Sequence, residues 1–159
     1  MTTRSVTHAT FTIERTYSAA PARVFRAFAD PLARARWFLD PGEGVTTPHE
    51  LDFRVGGHER IAGRFEGLGS TVHAYEARYH DIVPDQRIVS TYEMYQDEIR
   101  TSVSVATVQL SPAGRGTRLV YTEQGAFLDG YDNAADREHG TRELLDALGA
   151  SLEAEPVGA

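Results

Sequence analysis

Six successive stretches of period-two alternation, broken by tight-turn residues and followed by one amphipathic helix, constrain this chain more than any single motif in it. The stretches are residues 49–55, 59–66, 71–83, 87–95, 100–110 and 117–124. Gly67-Leu68-Gly69-Ser70, Pro84-Asp85, Gln96-Asp97-Glu98 and Pro112-Ala113-Gly114-Arg115-Gly116 stand between them and supply the backbone preferences of tight turns. Connections this short make consecutive strands antiparallel neighbours. Ahead of them, Phe11, Ile13 and Arg15 alternate with polar neighbours as a first strand. Pro21 then suits the first position of a short helix with Val24, Phe25 and Phe28 on its apolar face. Asp30-Pro31 repeats the start signal for a second helix, with Leu32, Ala35 and Trp37-Phe38 on its apolar side and Pro41-Gly42 as its stop. The expected fold is α+β: a curved antiparallel sheet of six to seven strands around a long C-terminal helix, with two short helices after the first strand.

The closing helix, expected over residues 132–153, is uneven. Leu144, Leu145, Leu148 and Leu152 give its second half an apolar stripe, whereas Ala134, Glu138 and Thr141 occupy the same face in its first three turns. Interiors are close-packed. A slender, mildly polar half-helix over a concave sheet therefore predicts a hollow beneath it, filled by neighbouring side chains, water or a ligand.

The chain has 159 residues and is expected to form one domain, residues 1–159, with an ordered core over about 9–153 and fraying at the first few residues and after Glu153. Its formal net charge of -7 works against phosphate backbones and anionic lipid, so neither nucleic acid nor a membrane surface is an expected partner. The lack of cysteine excludes disulfides, thiolate catalysis and thiolate-bound zinc. No stretch resembles a signal peptide or a membrane span, and the expected location is cytoplasmic. Neither a nucleophile elbow, a P-loop nor a dinucleotide fingerprint is present, and no cofactor is expected. The six histidines lack metal-motif spacing; His73 and His139 are the pair that could meet across the hollow, and no metal site is expected.

Alternation also assigns faces. The faces expected toward the helix are Phe53 and Val55; His73, Tyr75, Ala77 and Tyr79; Ile88, Ser90, Tyr92 and Met94; Val103, Val105 and Thr107; and Leu119, Tyr121 and Glu123. Most of these positions are also compatible with plain core. Tyr75, Tyr79, Tyr92 and Tyr121 say more, because four buried hydroxyls each need a partner from ligand, water or carboxylate. Glu123 needs a cation such as Arg54 or Arg137 and reads either as a structural ion pair or as a catalytic acid. Asp52 and Arg54 read as a structural charge pair, and Gly56-Gly57 as a bulge or a close approach. Phe127, Leu128 and Tyr131 fall between the last strand and the helix, as either a gate or a hydrophobic plug. Val89, Val108 and Val120 make the outer sheet face apolar enough for a homodimer.

These segments, in this order, resemble the helix-grip proteins of the START-like, or SRPBCC, superfamily, and within it the branch named after the activator of heat-shock-protein-90 ATPase. The matching pieces run from about Phe11 to Leu152: Ala20-Pro21-Ala22-Arg23-Val24-Phe25, Trp37-Phe38, Asp52-Phe53-Arg54-Val55-Gly56-Gly57, Tyr79-His80-Asp81-Ile82-Val83-Pro84 leading into Arg87-Ile88-Val89, Gly116-Thr117-Arg118-Leu119, residues 122–130, and Gly140-Thr141-Arg142-Glu143-Leu144-Leu145. The resemblance implies the helix-grip fold and a site for a small apolar, aromatic or lipid-like ligand, since the superfamily includes lipid and hormone carriers as well as polyketide aromatases and cyclases. The expected ligand-binding residues are Trp37, Phe53, Tyr75, Tyr79, Tyr92, Met94, Val103, Val105, Tyr121, Phe127, Thr141 and Leu145. In an aromatase- or cyclase-type enzyme, Glu123, His73 or Tyr92 would move protons. A third reading is a chaperone-associated interaction module. The eukaryotic co-chaperones of this branch carry a second domain, for which this chain is too short.

Overall fold

The computed structural model describes residues 3–39, 44–45, 48–64 and 69–154. Pro41-Gly42, Gly67-Leu68 and residues 65–66 of the expected second stretch lie outside them. The elements are β1 (Val6–Tyr17), α1 (Pro21–Ala29), α2 (Pro31–Phe38), β2 (Gly44–Val45), β3 (Glu50–Leu51), β4 (His58–Arg64), β5 (Val72–Val83), β6 (Arg87–Gln96), β7 (Ile99–Ala113), β8 (Gly116–Leu128) and α3 (Ala134–Ala154). Seven strands run in the order β1-β8-β7-β6-β5-β4-β2, with β3 added on β4, and every pairing is antiparallel. The first strand is thus zipped to the last. α3 lies against the sheet, and α1 and α2 close one end of it. Ile13, Val24, Phe28, Leu119, Leu145, Leu148 and Leu152 form the core between these layers. The buried Tyr17 hydroxyl ties β1 to α3 by donating to the Leu145 carbonyl at 2.7 Å.

Local signals act as the sequence predicts at several boundaries. The Asp30 carboxylate accepts from the Ala33 N–H at 2.9 Å and caps α2 behind its proline. Asn133 caps α3 through the Asp136 N–H at 2.9 Å, a start signal one position past the expected one. Asp85, Asp97 and Glu98 take the left-handed backbone that the β5–β6 and β6–β7 turns require.

Two elements differ from expectation. Residues 49–55 do not form a strand beyond Glu50–Leu51: the chain turns back on itself, with Arg54 N–H on the Asp52 carbonyl and Gly57 N–H on the Arg54 carbonyl. Gly56 takes a φ of 84°, and a Cβ on Gly57 would lie 2.0 Å from the Asp52 oxygen. The Asp52–Gly57 signature is therefore a compact turn, closed by the Arg54–Asp52 ion pair at 2.9 Å. Gly56 and Gly57 exchange backbone hydrogen bonds with Tyr79, which seats the Phe53 ring 4.9 Å from the Tyr79 ring. Val55 points outward, 57 % exposed. We expect Gly57→Ala to lower stability by about 3 kcal/mol, because the obstacle is backbone rather than a flexible side chain. A urea midpoint equal to that of the unsubstituted protein would refute this.

The second difference is that Phe127 and Leu128 belong to β8, not to a loop, because β1 reaches back to Val6 and pairs with them. Of the segment read as either a gate or a plug, Phe127 is buried, Leu128 half-buried and Tyr131 exposed in the turn before α3. Leu32 is 74 % exposed, and α2 buries Ala33, Arg34 and Trp37 instead.

Candidate functional site

A hollow of about 390 Å³ lies between the front half of α3, α2 and the concave face of β4 to β8. Each wall has a sequence reason. α2 contributes Arg34, Trp37 and Phe38, spaced three and four apart on one face. The Asp52–Gly57 turn contributes Phe53, β5 contributes Tyr75 and Tyr79, and β6 contributes Ile88, Ser90, Tyr92 and Met94. β7 adds Ala106 and Val108, β8 adds Tyr121, and α3 adds Asp136, Arg137, Gly140, Thr141, Leu144 and Leu145. A run of ring contacts lines one side: Phe28–Trp37 at 5.0 Å, Trp37–Phe38 at 6.0 Å, Phe38–Tyr75 at 5.1 Å and Tyr75–Tyr92 at 5.1 Å between centroids.

Two buried polar networks hold the walls. In the first, Arg34 grips Glu59 with two hydrogen bonds, Nε to Oε2 at 2.9 Å and Nη2 to Oε1 at 2.7 Å. His49 Nε2 shares a 2.8 Å hydrogen bond with Oε2, and the guanidinium stacks 3.8 Å from the Phe38 ring centre. Glu59 is 0 % exposed. Burial alone would raise its pKa, yet the Arg34 charge and the hydrogen bonds from His49 and Arg34 hold it at about 2 instead of the ordinary 4.5.

In the second network, Glu123, also 0 % exposed, accepts from Tyr92 at 2.8 Å, from Tyr121 at 2.7 Å and from Arg137 Nη1 at 3.2 Å. Arg137 also donates to the Tyr92 oxygen at 2.9 Å, to Ser102 at 2.8 Å and to Asp132 at 2.7 Å. Its guanidinium sits over the Tyr92 and Phe127 rings. Burial pushes the phenols of Tyr75, Tyr79, Tyr92 and Tyr121 upward, and the charges of Glu59 or Glu123 push the same way. All four are neutral hydroxyls at working pH.

The hollow therefore gathers Trp37, Phe53, Tyr75, Tyr79, Tyr92, Met94, Tyr121, Thr141 and Leu145 from the expected ligand set. It leaves out Val103, Val105 and Phe127. On β7 the inward face is Ser102, Ser104, Ala106, Val108 and Leu110, while Val103 is 37 % exposed on the other side. The more apolar face is the one expected inside, but Arg137 takes Ser102 and Ser104 as hydrogen-bond partners there. Val108 accordingly leaves the outer face on which a homodimer was expected, where Val89 and Val120 remain half-buried. Phe127 is buried under Arg137, beyond the hollow.

Among the catalytic candidates, Tyr92 and Glu123 belong to the second network, and His73 lies at the start of β5, outside the lining. His139 is exposed and pairs with Glu143 at 3.0 Å, so it does not meet His73. Arg54 pairs with Asp52, leaving Arg137 as the partner of Glu123. Toward the hollow α3 presents Arg137 and Gly140 beside Thr141, whereas Glu138 turns to Arg142 at 2.7 Å. Among the described residues, no group of three or more His, Cys, Asp or Glu side chains could hold a metal ion, and no helix is long and apolar enough to cross a membrane.

Arg34, Glu59, His49, Ser102 and Ser104 escaped the sequence reading. Glu59 shares a strand face with Ile61 and Gly63, and a carboxylate in such a row signals a buried cation nearby. The β7 face was legible from register: Val108 stands opposite Tyr121 and Ala106 opposite Glu123, and opposite residues point the same way.

The family model described as activator of Hsp90 ATPase homolog 1-like protein matches residues 18–153. The Mll3558 protein from Rhizobium loti is 52% identical over 92% of this chain and 99% of its own, with a TM-score of 0.83. A putative uncharacterized protein from Rhizobium leguminosarum is 45% identical over 97% of this chain and 100% of its own, with a TM-score of 0.89. Protein CV1439 from Chromobacterium violaceum is 31% identical over 89% and 94%, with a TM-score of 0.71. No curated protein matches the chain.

Proposed function

Because this chain belongs to the activator of Hsp90 ATPase homolog 1-like family of the SRPBCC superfamily, we propose that it binds one small apolar, aromatic or lipid-like molecule in the hollow under α3. The observation that carries this reading is an aromatic-walled space of about 390 Å³ at the place where α3 has no bulk to fill it. That volume falls within the roughly 300–1,000 Å³ range of small-molecule sites. Gly140 sharpens the point. It lies mid-helix on the hollow's wall, and a Cβ built there meets nothing within 4 Å. A mid-helix glycine costs about 1 kcal/mol relative to alanine, so its absent side chain leaves room at an energetic cost.

The acid–base reading has less support. Tyr92 and Tyr121 direct their protons at Glu123, and Arg137 closes its remaining side. That arrangement anchors a wall rather than presenting a carboxyl to a substrate.

The test is native mass spectrometry of the purified protein beside Gly140→Leu and Gly140→Ala. We expect a small molecule to co-purify with the unsubstituted protein and to be absent from Gly140→Leu, whose side chain would occupy the hollow. Gly140→Ala should raise stability by about 0.5–1 kcal/mol. Equal ligand content in the unsubstituted protein and Gly140→Leu would place the bound molecule elsewhere and sink the reading.

A further inference from the structure

The polar atoms around the hollow differ sharply in what they have left to offer. Arg34 is held by Glu59 through two hydrogen bonds. Both terminal nitrogens of Arg137 are engaged, by Tyr92 and Glu123 on one side and Ser102 and Asp132 on the other. Tyr92 and Tyr121 already donate to Glu123. Three hydroxyls remain. Tyr75 and Tyr79 line the hollow from β5 and Ser90 from β6, and none of the three hydroxyls hydrogen-bonds to another side chain among the described residues. The Tyr121 oxygen, a donor already, can only accept.

The charge count runs the same way. Arg34 and His49 share Glu59, Arg137 is paired with Glu123 and Asp132, and Asp132 and Asp136 both line the hollow, so carboxylates outnumber the arginines there. An entering anion would lose its hydration, find each cation already neutralised and meet surplus negative charge. An uncharged hydroxyl would give a proton to Tyr121 or exchange hydrogen bonds with Tyr75, Tyr79 and Ser90.

Resting on the ligand-binding reading, we infer that the hollow selects uncharged ligands whose apolar body carries a hydroxyl group, and refuses the carboxylate of the same skeleton. Nuclear magnetic resonance titration of the full chain with naphthalene, 2-naphthol and 2-naphthoate tests this, read at the amides of Gly63 and Gly140 on the hollow's walls. We expect 2-naphthol to bind about ten-fold or more tightly than 2-naphthoate. Tyr75→Phe should weaken 2-naphthol about five-fold, the loss of one hydrogen bond, and leave naphthalene unchanged. The amide spectrum of Tyr75→Phe reports its fold independently.

The outcomes separate cleanly. 2-Naphthoate binding as tightly as 2-naphthol overturns the selectivity while leaving the ligand site standing. Naphthalene matching 2-naphthol overturns the role given to the hydroxyls. No shift from any of the three overturns the ligand-binding reading and this inference with it.

Discussion

Replacing Arg34 with methionine is expected to lower stability by about 3–5 kcal/mol, because it leaves the Glu59 carboxylate fully buried beside a histidine and no permanent cation. The measurement is the urea midpoint of Arg34→Met. A companion variant carrying Arg34→Met and Glu59→Leu together should recover most of the loss, since the pair's attraction largely offsets its own desolvation. Acid gives a second readout. Glu59 titrates at about 2 in the folded protein against an ordinary 4.5, so the unfolded chain binds the proton first as pH falls. The stabilisation is complete above pH 4.5 and disappears as pH drops from there toward 2. It amounts to about 3 kcal/mol at neutral pH. The unsubstituted protein should therefore lose stability through that window more steeply than the double variant. Parallel acid profiles for the two, or an unchanged midpoint for Arg34→Met, would show that the buried pair is not what holds α2 over the hollow.

Arg137→Met should have the next largest effect. Arg137 joins α3 to three strands: through Glu123 to β8, through Tyr92 to β6 and through Ser102 to β7. Its loss leaves Glu123 with two phenol donors and no cation, at a cost of about 3 kcal/mol. Glu123→Gln should cost less, about 1–2 kcal/mol, because Arg137 keeps Asp132 and both serines and the phenols keep an amide oxygen. The ordering of these two variants in urea denaturation is the check. If Glu123→Gln were the more damaging, the carboxylate rather than the guanidinium would organise the site.

Much of the architecture was readable in advance. The turn residues at Pro84-Asp85 and Gln96-Asp97-Glu98 required antiparallel neighbours, and Pro21 and Asp30-Pro31 placed two helices where α1 and α2 begin. These are local preferences, acting within a few residues, and tertiary contacts did not override them. The uneven α3 is equally local: its leucines lie only in the second half, and the hollow lies under the first. The site's polar frame was not local. Alternation divides a strand into two faces without saying which is inside, and on β7 the apolar side, Val103 and Val105, faced out.

Sequence by itself determined the order of the elements, the hand-over from strands to helix and the want of bulk at the front of α3, since each follows from the conformational preference of a short segment. Only the tertiary structure decided that Ser102 and Ser104 face inward, that Arg34 meets Glu59 across 25 positions and that Arg137 closes on Glu123. A buried charge is stable only beside its partner, and which partner it meets is set by where the sheet and helices bring distant residues together.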